Sequence, residues 1–263
     1  MTRKKLRSDI AWSDATHIVV RGKNLVDLLG NVNLGDFAFF ELTGRLPTAQ
    51  ESTVFNAIVV VLVEHGLTPS AIAARLTYLG SPEAIQAAVA AGLLGIGDRF
   101  GGPAEEVARM LQEALPLGGG GSADLRELAA GIVARQRELK RPVPGLGHPI
   151  HRPIDPRTPR LLEIAAENGF SGRYVELMEA VSAEANVALE RPLPVNATGA
   201  IGAIASELGF EWRVCRGLAV IARSVGLVAH LLEEDREPLA AEIWSRVDGE
   251  ATEHLRGATD ERD

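Results

Sequence analysis

Residues 142–157 read Pro-Val-Pro-Gly-Leu-Gly-His-Pro-Ile-His-Arg-Pro-Ile-Asp-Pro-Arg. Prolines recur too often here for a helix or a central strand, so the stretch is a shaped loop. Its prolines fix the path, and Gly145 and Gly147 let backbone come close to a ligand. His148, His151, Arg152, Asp155 and Arg157 crowd into ten residues. A guanidinium fork suits a carboxylate, and a histidine beside it suits a carbonyl or hydroxyl oxygen. The plainer alternative is a rigid surface turn whose Asp155 caps the next helix, and the residues alone leave both open. No metal is expected, because His148 and His151 lack a third ligand at convincing spacing.

Outward from this loop the pattern is helix after helix. On the C-terminal side, Asp155-Pro156 starts a helix that stops near Asn168-Gly169. Further helices are expected at 171–189, 197–208 and 212–235. A short one near 238–247 precedes a charged, frayed tail. On the N-terminal side, 122–140 is helical in pattern. Gly118–Gly121 is a joint that lacks the Gly-Lys-Ser/Thr ending of a phosphate loop. Pro103 opens one helix, with Glu105 and Glu106 at its positive end. Ser81-Pro82 reads as the cap and first turn of another. Thr48-Ala-Gln-Glu51 is a capping box for a helix carrying Val54, Phe55, Ile58, Val59 and Leu62 and ending near His65-Gly66. Residues 17–20 suit a short strand and 24–29 a short helix. The sum is an all-α, mainly helical architecture.

Composition narrows the function. The 263 residues are 46% hydrophobic but only 5% aromatic, which suits closely packed helices, and the net charge is −8. An acidic chain without a basic face is a poor nucleic-acid partner. The single cysteine, Cys215, suits a reducing compartment and reads as a packed small residue. Residues 1–10 are basic and polar without a secretory apolar core, and the longest apolar run, 57–63, is too short for a bilayer. A soluble, cytoplasmic chain without membrane contact is the expectation. Trp12, Trp212 and Trp244 read as packing anchors.

Two other places could carry chemistry. Ile96-Gly-Asp-Arg-Phe-Gly-Gly102 joins two helices, and its Asp98 and Arg99 could simply pair. Arg223 sits among Val220, Ile221, Val225, Leu227 and Val228, and an arginine there needs an acidic partner or an anionic ligand.

At these same residues the chain resembles the citrate synthase / citryl-CoA lyase family. Residues 143–157, VPGLGHPIHRPIDPR, resemble the signature loop of citrate synthases, a Pro-Gly-aromatic-Gly-His pattern followed nine residues later by an arginine, here His148 and Arg157. Residues 92–102, GLLGIGDRFGG, resemble the matching segment of the citryl-CoA lyase module of ATP-citrate lyase. Residues 218–230, LAVIARSVGLVAH, resemble the family's late arginine-bearing helix, and Arg21 through Gly44-Arg45-Leu46-Pro47 also fits. The likeness runs through 16–245, and the chain is short for a citrate synthase, which favours the lyase-type branch.

The resemblance implies a homodimer with a large and a small helical domain and a cleft between them. A basic tail, 1–15, would precede a large domain built from 16–118 and 216–263, with 119–215 as the small one. It implies coenzyme A as part of an acyl-CoA substrate or product, contacted by Val143, Pro144, Gly145, Leu146 and Gly147. His148 would hydrogen-bond a keto or hydroxyl oxygen, and Arg157 and Arg223, with Asn196 nearby, would hold the acid. The reaction so implied is a Claisen-type condensation or its reverse.

The family pattern then breaks. Counted back from Gly97-Asp98-Arg99, the family's first catalytic histidine falls on Ala73, and His65 matches a different, non-catalytic position. The family's aspartate falls on Thr198, between Asn196 and Gly202, and Pro149 stands where many relatives have an arginine. Alanine handles no proton, and a threonine hydroxyl is a poor base. One expectation is a carbon–carbon lyase or transferase with an altered catalytic set that includes His148 and Thr198. The alternative is a non-catalytic binder of CoA esters or dicarboxylates. A purely structural subunit is the third reading.

Overall fold

A computed structural model describes residues 5–119 and 123–257. The chain enters through a small antiparallel ribbon, β1 (Ala11–Ser13), β2 (Ile18–Val20) and β3 (Lys23–Asn24), in which Val20 faces Ala11 and Lys23. The expected strand is β2. Asn24 caps α1 (Leu25–Leu28), and Asn33 caps α2 (Leu34–Thr43) through the amide of Asp36. Val20, Leu28 and Phe40 bury together and pin the ribbon to α2.

The capping box expected at Thr48 forms. Thr48 Oγ1 accepts the Glu51 amide and the Glu51 carboxylate accepts the Thr48 amide, which opens α3 (Ala49–Val63). Arg45 adds two bonds to the same carboxylate, at 2.7 and 2.5 Å. Val54, Phe55 and Ile58 give α3 its buried face. The helix stops at Glu64 in extended backbone, and Gly66, at φ +73°, turns the chain away. His65 is left on the corner between them.

Thr68 then caps α4 (Pro69–Gly80), with Pro69 in its first turn. Ser81 does not open the next helix as expected. Its amide bonds the Tyr78 carbonyl and its own carbonyl takes the Ala84 amide, so Ser81 and Pro82 close α4 in a turn. The next helix, α5 (Ile85–Leu94), starts without a side-chain cap. A π-helical turn, Gly97–Gly101, leads into α6 (Pro103–Ala114). After Gly119, where the expected glycine joint passes outside the described residues, come α7 (Leu125–Glu138), α8 (Arg157–Glu167) and α9 (Arg173–Leu189). They are followed by α10 (Ala197–Glu207), α11 (Trp212–Arg236) and α12 (Ala240–Gly257).

Two expectations fail. The frayed tail is absent through Gly257, because α12 continues that far. The Glu234 carboxylate, on α11, accepts the amides of Leu239 and Ala240 and so caps α12 from outside. Trp12 and Trp244 are exposed rather than anchors, lying on a ribbon edge and at the open groove between α12 and α4. Only Trp212 is packed, between the guanidiniums of Arg109 and Arg213.

The core is centred on α10, whose residues 199–206 are all buried. Small side chains make this possible. A Cβ at Gly202 would lie 2.7 Å from Val107 and 2.8 Å from the Ala104 carbonyl, so α6 and α10 touch almost backbone to backbone. On α11, 25 residues long, length and composition alone would allow a membrane crossing. Here it packs against α3, α4, α5 and α6, with Leu218, Ala222, Leu227 and Leu231 buried. At Gly226 it passes so close to the end of α3 that an added Cβ would strike the Val63 carbonyl.

Candidate active site

The signature loop is stitched to the entrance of α10. Gly147 donates to the Pro194 carbonyl at 2.8 Å, and Asn196 donates to the Gly145 carbonyl at 2.9 Å. Asn196 Nδ2 adds a bond to the Gly147 carbonyl at 2.5 Å. Gly145 has φ +81°, and a Cβ there would lie 2.7 Å from Val107 and 2.8 Å from Gly199 Cα. Contact between loop and helix by itself demands this glycine. Val143 is likewise buried in the core, while Pro144, Leu146 and Gly147 are half-buried at its edge.

Asn196 and Thr198 are occupied with each other. Asn196 Oδ1 accepts the amides of Thr198 and Gly199, and also the Thr198 hydroxyl at 2.8 Å. Asn196 is thus an N-cap and loop tether. The Thr198 proton is spent inside the first turn of α10, which leaves the hydroxyl's lone pairs. Ala73, on α4, packs 3.5 Å from the position a Cβ would take at Gly95.

His148 has a defined chemical state. Its Nδ1 accepts the amides of Ile150 at 3.1 Å and His151 at 2.9 Å. A nitrogen that accepts carries no proton, so the neutral ring bears its hydrogen on Nε2 and offers it as a donor. Burial, aided by the neighbouring His151, lowers the pKa of His148 below the usual histidine value. The His148 and His151 rings stack with centroids 4.4 Å apart.

The structure adds a third ring that spacing along the chain did not reveal. His65, at the α3 corner, brings Nε2 to 3.2 Å from Nε2 of His151, 86 residues away in sequence. The ligating nitrogens of His65, His148 and His151 all lie within 4.8 Å of one another. The stated reason for expecting no metal, a missing third ligand, therefore does not hold. Burial depresses the pKa of His65, and the charges of Arg157, His151 and Arg223 depress it further. Both arginines singled out in the sequence thus act on the same ring.

Arg157 is held by Asp155, a fully buried carboxylate, through Nε at 2.9 Å and Nη2 at 2.8 Å. Burial pushes the Asp155 pKa up, but the Arg157 side chain and the amides of Arg157 and Ala197 outweigh it and set it to about 2. Asp155 therefore does cap the start of α8, as the plainer reading of the loop had it. It also orients Arg157.

Arg223 faces Glu64 at 3.7 Å, an ion pair without a hydrogen bond, and its Nη1 is buried with no hydrogen-bond partner. Burial lowers its pKa and Glu64 opposes that. Glu64 also accepts the amides of His65 and Gly66 and pairs with His230 at 3.2 Å. Beyond it, Arg75, wholly buried on α4, joins His230, Glu233 and Glu234, a network the sequence reading missed.

Asp98 pairs with Arg216 at 2.6 Å rather than with Arg99, because Arg216 on α11 reaches both Asp98 and Glu105. Burial pushes the Cys215 thiol up to about 12, which makes it an inert core residue.

Residues 39–243 match the family model described as citrate synthase, C-terminal domain. Among solved structures, citryl-CoA lyase from Hydrogenobacter thermophilus is 37% identical with a TM-score of 0.78, over 88% of this chain and 87% of that one. ATP citrate lyase from Methanothrix soehngenii, solved with citrate and coenzyme A, shares the fold. Its TM-score is 0.73 at 23% identity, over 90% of this chain and 40% of that one. Citrate synthase 2 of Bacillus subtilis (strain 168) is 23% identical over 215 residues, 81% of this chain. ATP-citrate synthase beta chain protein 2 of Arabidopsis thaliana is 28% identical over 74% of this chain. The chain spans 55% of the length of the Bacillus protein and 34% of that of the Arabidopsis protein.

Proposed function

Because the chain belongs to the citrate synthase family, we propose that it binds a coenzyme A thioester together with a keto or hydroxy acid and makes or breaks the carbon–carbon bond between them. The observation that carries this reading is the grouping of His148, Arg157 and Arg223 around His65. Two guanidiniums supply positive charge for two carboxylates. Arg157 keeps Nη1 after giving Nε and Nη2 to Asp155, and Arg223 has its unpartnered Nη1. His148 offers Nε2–H to the acid's oxygen. In condensation that N–H bond stabilises the charge gathering on the keto oxygen, which then takes its proton from solvent. In cleavage the hydroxyl gives its proton to solvent and the same N–H bond steadies the oxygen as the bond's electron pair passes into the thioester enolate.

The chain has no histidine at position 73 and no carboxylate at 198. Loss of an enolate-oxygen donor costs roughly 100- to 1000-fold in rate. Loss of the α-carbon acid/base costs roughly another 100- to 10000-fold. The reading therefore favours a substrate whose carbanion is stabilised by its own structure. The Thr198 hydroxyl bond to Asn196 also supports a second reading, a non-catalytic homologue that binds the CoA ester or the dicarboxylate. Cytoplasmic location and the division into a large part (16–118 with 216–263) and a small one (119–215) belong to the same proposal. So does a homodimer, which the half-exposed Val220, Ile221, Val225 and Val228 along α11 would suit.

The test follows all CoA species by mass spectrometry in two mixtures, citryl-CoA alone and acetyl-CoA with oxaloacetate. Turnover that Arg157→Ala abolishes supports the enzyme. No turnover, with thermal stabilisation by CoA esters, supports the binder. Neither turnover nor stabilisation removes both.

A further inference from the structure

We propose that His65, His148 and His151 form a binding site for a zinc-class divalent ion. The Nε2 atoms of His65 and His151 stand 3.2 Å apart. Two nitrogens each about 2.0–2.1 Å from one tetrahedral ion are separated by roughly that distance. All three ligating nitrogens fall within 4.8 Å, so sub-ångström to ångström movements of the rings close the set. Imidazole nitrogen is a preferred zinc donor, and three protein ligands with a fourth position open is the arrangement of catalytic rather than structural zinc.

The ligands come from two separate places in the chain. His65 sits on the corner between the end of α3 and Gly66, fixed by the amide bonds of His65 and Gly66 to Glu64. His148 and His151 sit on one turn and stack face to face. The site therefore ties the end of α3 to the signature loop.

Two effects oppose the ion, and both shape the proposal. Arg157 and Arg223 are cations beside the cluster, only partly offset by Asp155 and Glu64. A dication there gains most when an anion joins it, so its open position is the place for an oxygen of the bound acid. In addition, His148 Nδ1 accepts two amides. Ligation through Nε2 moves the ring proton to Nδ1 and breaks those bonds, so the turn 148–151 re-forms as the ion enters. In the metal-loaded state the ion replaces the Nε2–H of His148 at the acid's oxygen and acts there as a Lewis acid, the electrophilic help that a chain with Ala73 and Thr198 otherwise lacks. This role, but not the site, rests on the function proposed above.

The test titrates metal-free protein with cobalt(II) and follows its visible ligand-field absorption. The expected result is saturation at one cobalt per chain, with the strong bands of a four- or five-coordinate ion, and displacement by one equivalent of zinc. His151→Ala and, separately, His65→Gln weaken binding at least tenfold, with folding checked by circular dichroism. His17→Ala, a surface control, leaves it unchanged. Citrate shifts the bands when its oxygen enters the open position. Only the weak bands of hexaaqua cobalt, or equal affinity in the folded cluster variants, overturns the site. Bands that ignore citrate overturn the role. Stabilisation of the metal-free protein by CoA is measured alongside. CoA binding without cobalt binding sinks the metal site alone, and cobalt binding without CoA binding sinks the CoA reading alone.

Discussion

Asp155 holds Arg157 by two parallel bonds, 2.9 Å from Oδ1 to Nε and 2.8 Å from Oδ2 to Nη2, while Oδ2 also accepts the Ala197 amide at 3.2 Å. One buried carboxylate therefore orients a candidate acid-binding arginine and fixes the start of α10 beside it. Asp155→Asn cannot accept along both prongs and leaves the guanidinium uncompensated. It should lower the unfolding free energy by about 3 kcal/mol, read from urea curves. Citrate affinity should fall with it in the protein that remains folded. Unchanged stability would show that the grip is not made in solution.

Arg157→Ala removes the charge itself. Citrate or oxaloacetate binding, followed by calorimetry, should weaken about 10- to 100-fold, the worth of one or two charge-assisted hydrogen bonds. CoA binding should change little. Equal loss of both ligands in a folded variant would contradict the assigned role.

Two glycines on α11 should respond in opposite directions. Gly226→Ala drives a methyl into the Val63 carbonyl and to 3.0 Å from Glu64 Oε2. Backbone cannot yield cheaply, so a loss of about 1–3 kcal/mol is expected, together with movement of Glu64 from Arg223. Gly217→Ala meets no neighbour within 4 Å. Its gain should be about 0.5–1 kcal/mol from helix propensity alone. Thermal melts of the two variants decide this.

Acid should undo the α3 cap. Burial of Glu51 pushes its pKa up, but the stronger Arg45 hydrogen bonds, with help from Thr48, take it from 4.5 to about 2. A folded pKa below the unfolded one means that stability is full above about pH 4.5, falls as pH drops toward 2, and levels below both. Arg45 is half exposed, which discounts the pair to on the order of 2 kcal/mol. The stability difference between wild type and Glu51→Gln should therefore shrink across pH 4.5 to 2. A difference constant over that range would contradict the pairing.

Local signals made much of the fold readable. The Thr48–Glu51 box, Pro103 and Asp155-Pro156 mark helix starts because caps and proline act over a few residues. Long apolar periodicity fixed α9, α10 and α11 within a residue or two. Ser81 misled because a serine before a proline suits both a cap and a turn, and the choice is made by the Tyr78 carbonyl. The missed α2 and α4 also carried caps, Asn33 and Thr68-Pro69, that could have been read. At the site, Arg157 and His148 were visible through one loop. His65 was not, because nothing near it in sequence points to the turn that carries its partner His151, 86 residues away. The Glu64–His230–Arg75 network was hidden for the same reason. Gly145 also serves a contact that the sequence does not show: its missing Cβ makes room for Gly199 Cα.

The Gly145–Gly199 contact also sets how this protein can be rebuilt. With the Gly145 carbonyl bonded to the Asn196 amide, and a Cβ on either glycine colliding with the other segment, the loop and the head of α10 are one interchangeable unit. A relative's loop transplanted alone would arrive without its seat. A chimera meant to restore an aspartate at position 198 must carry 143–157 and 193–202 across together.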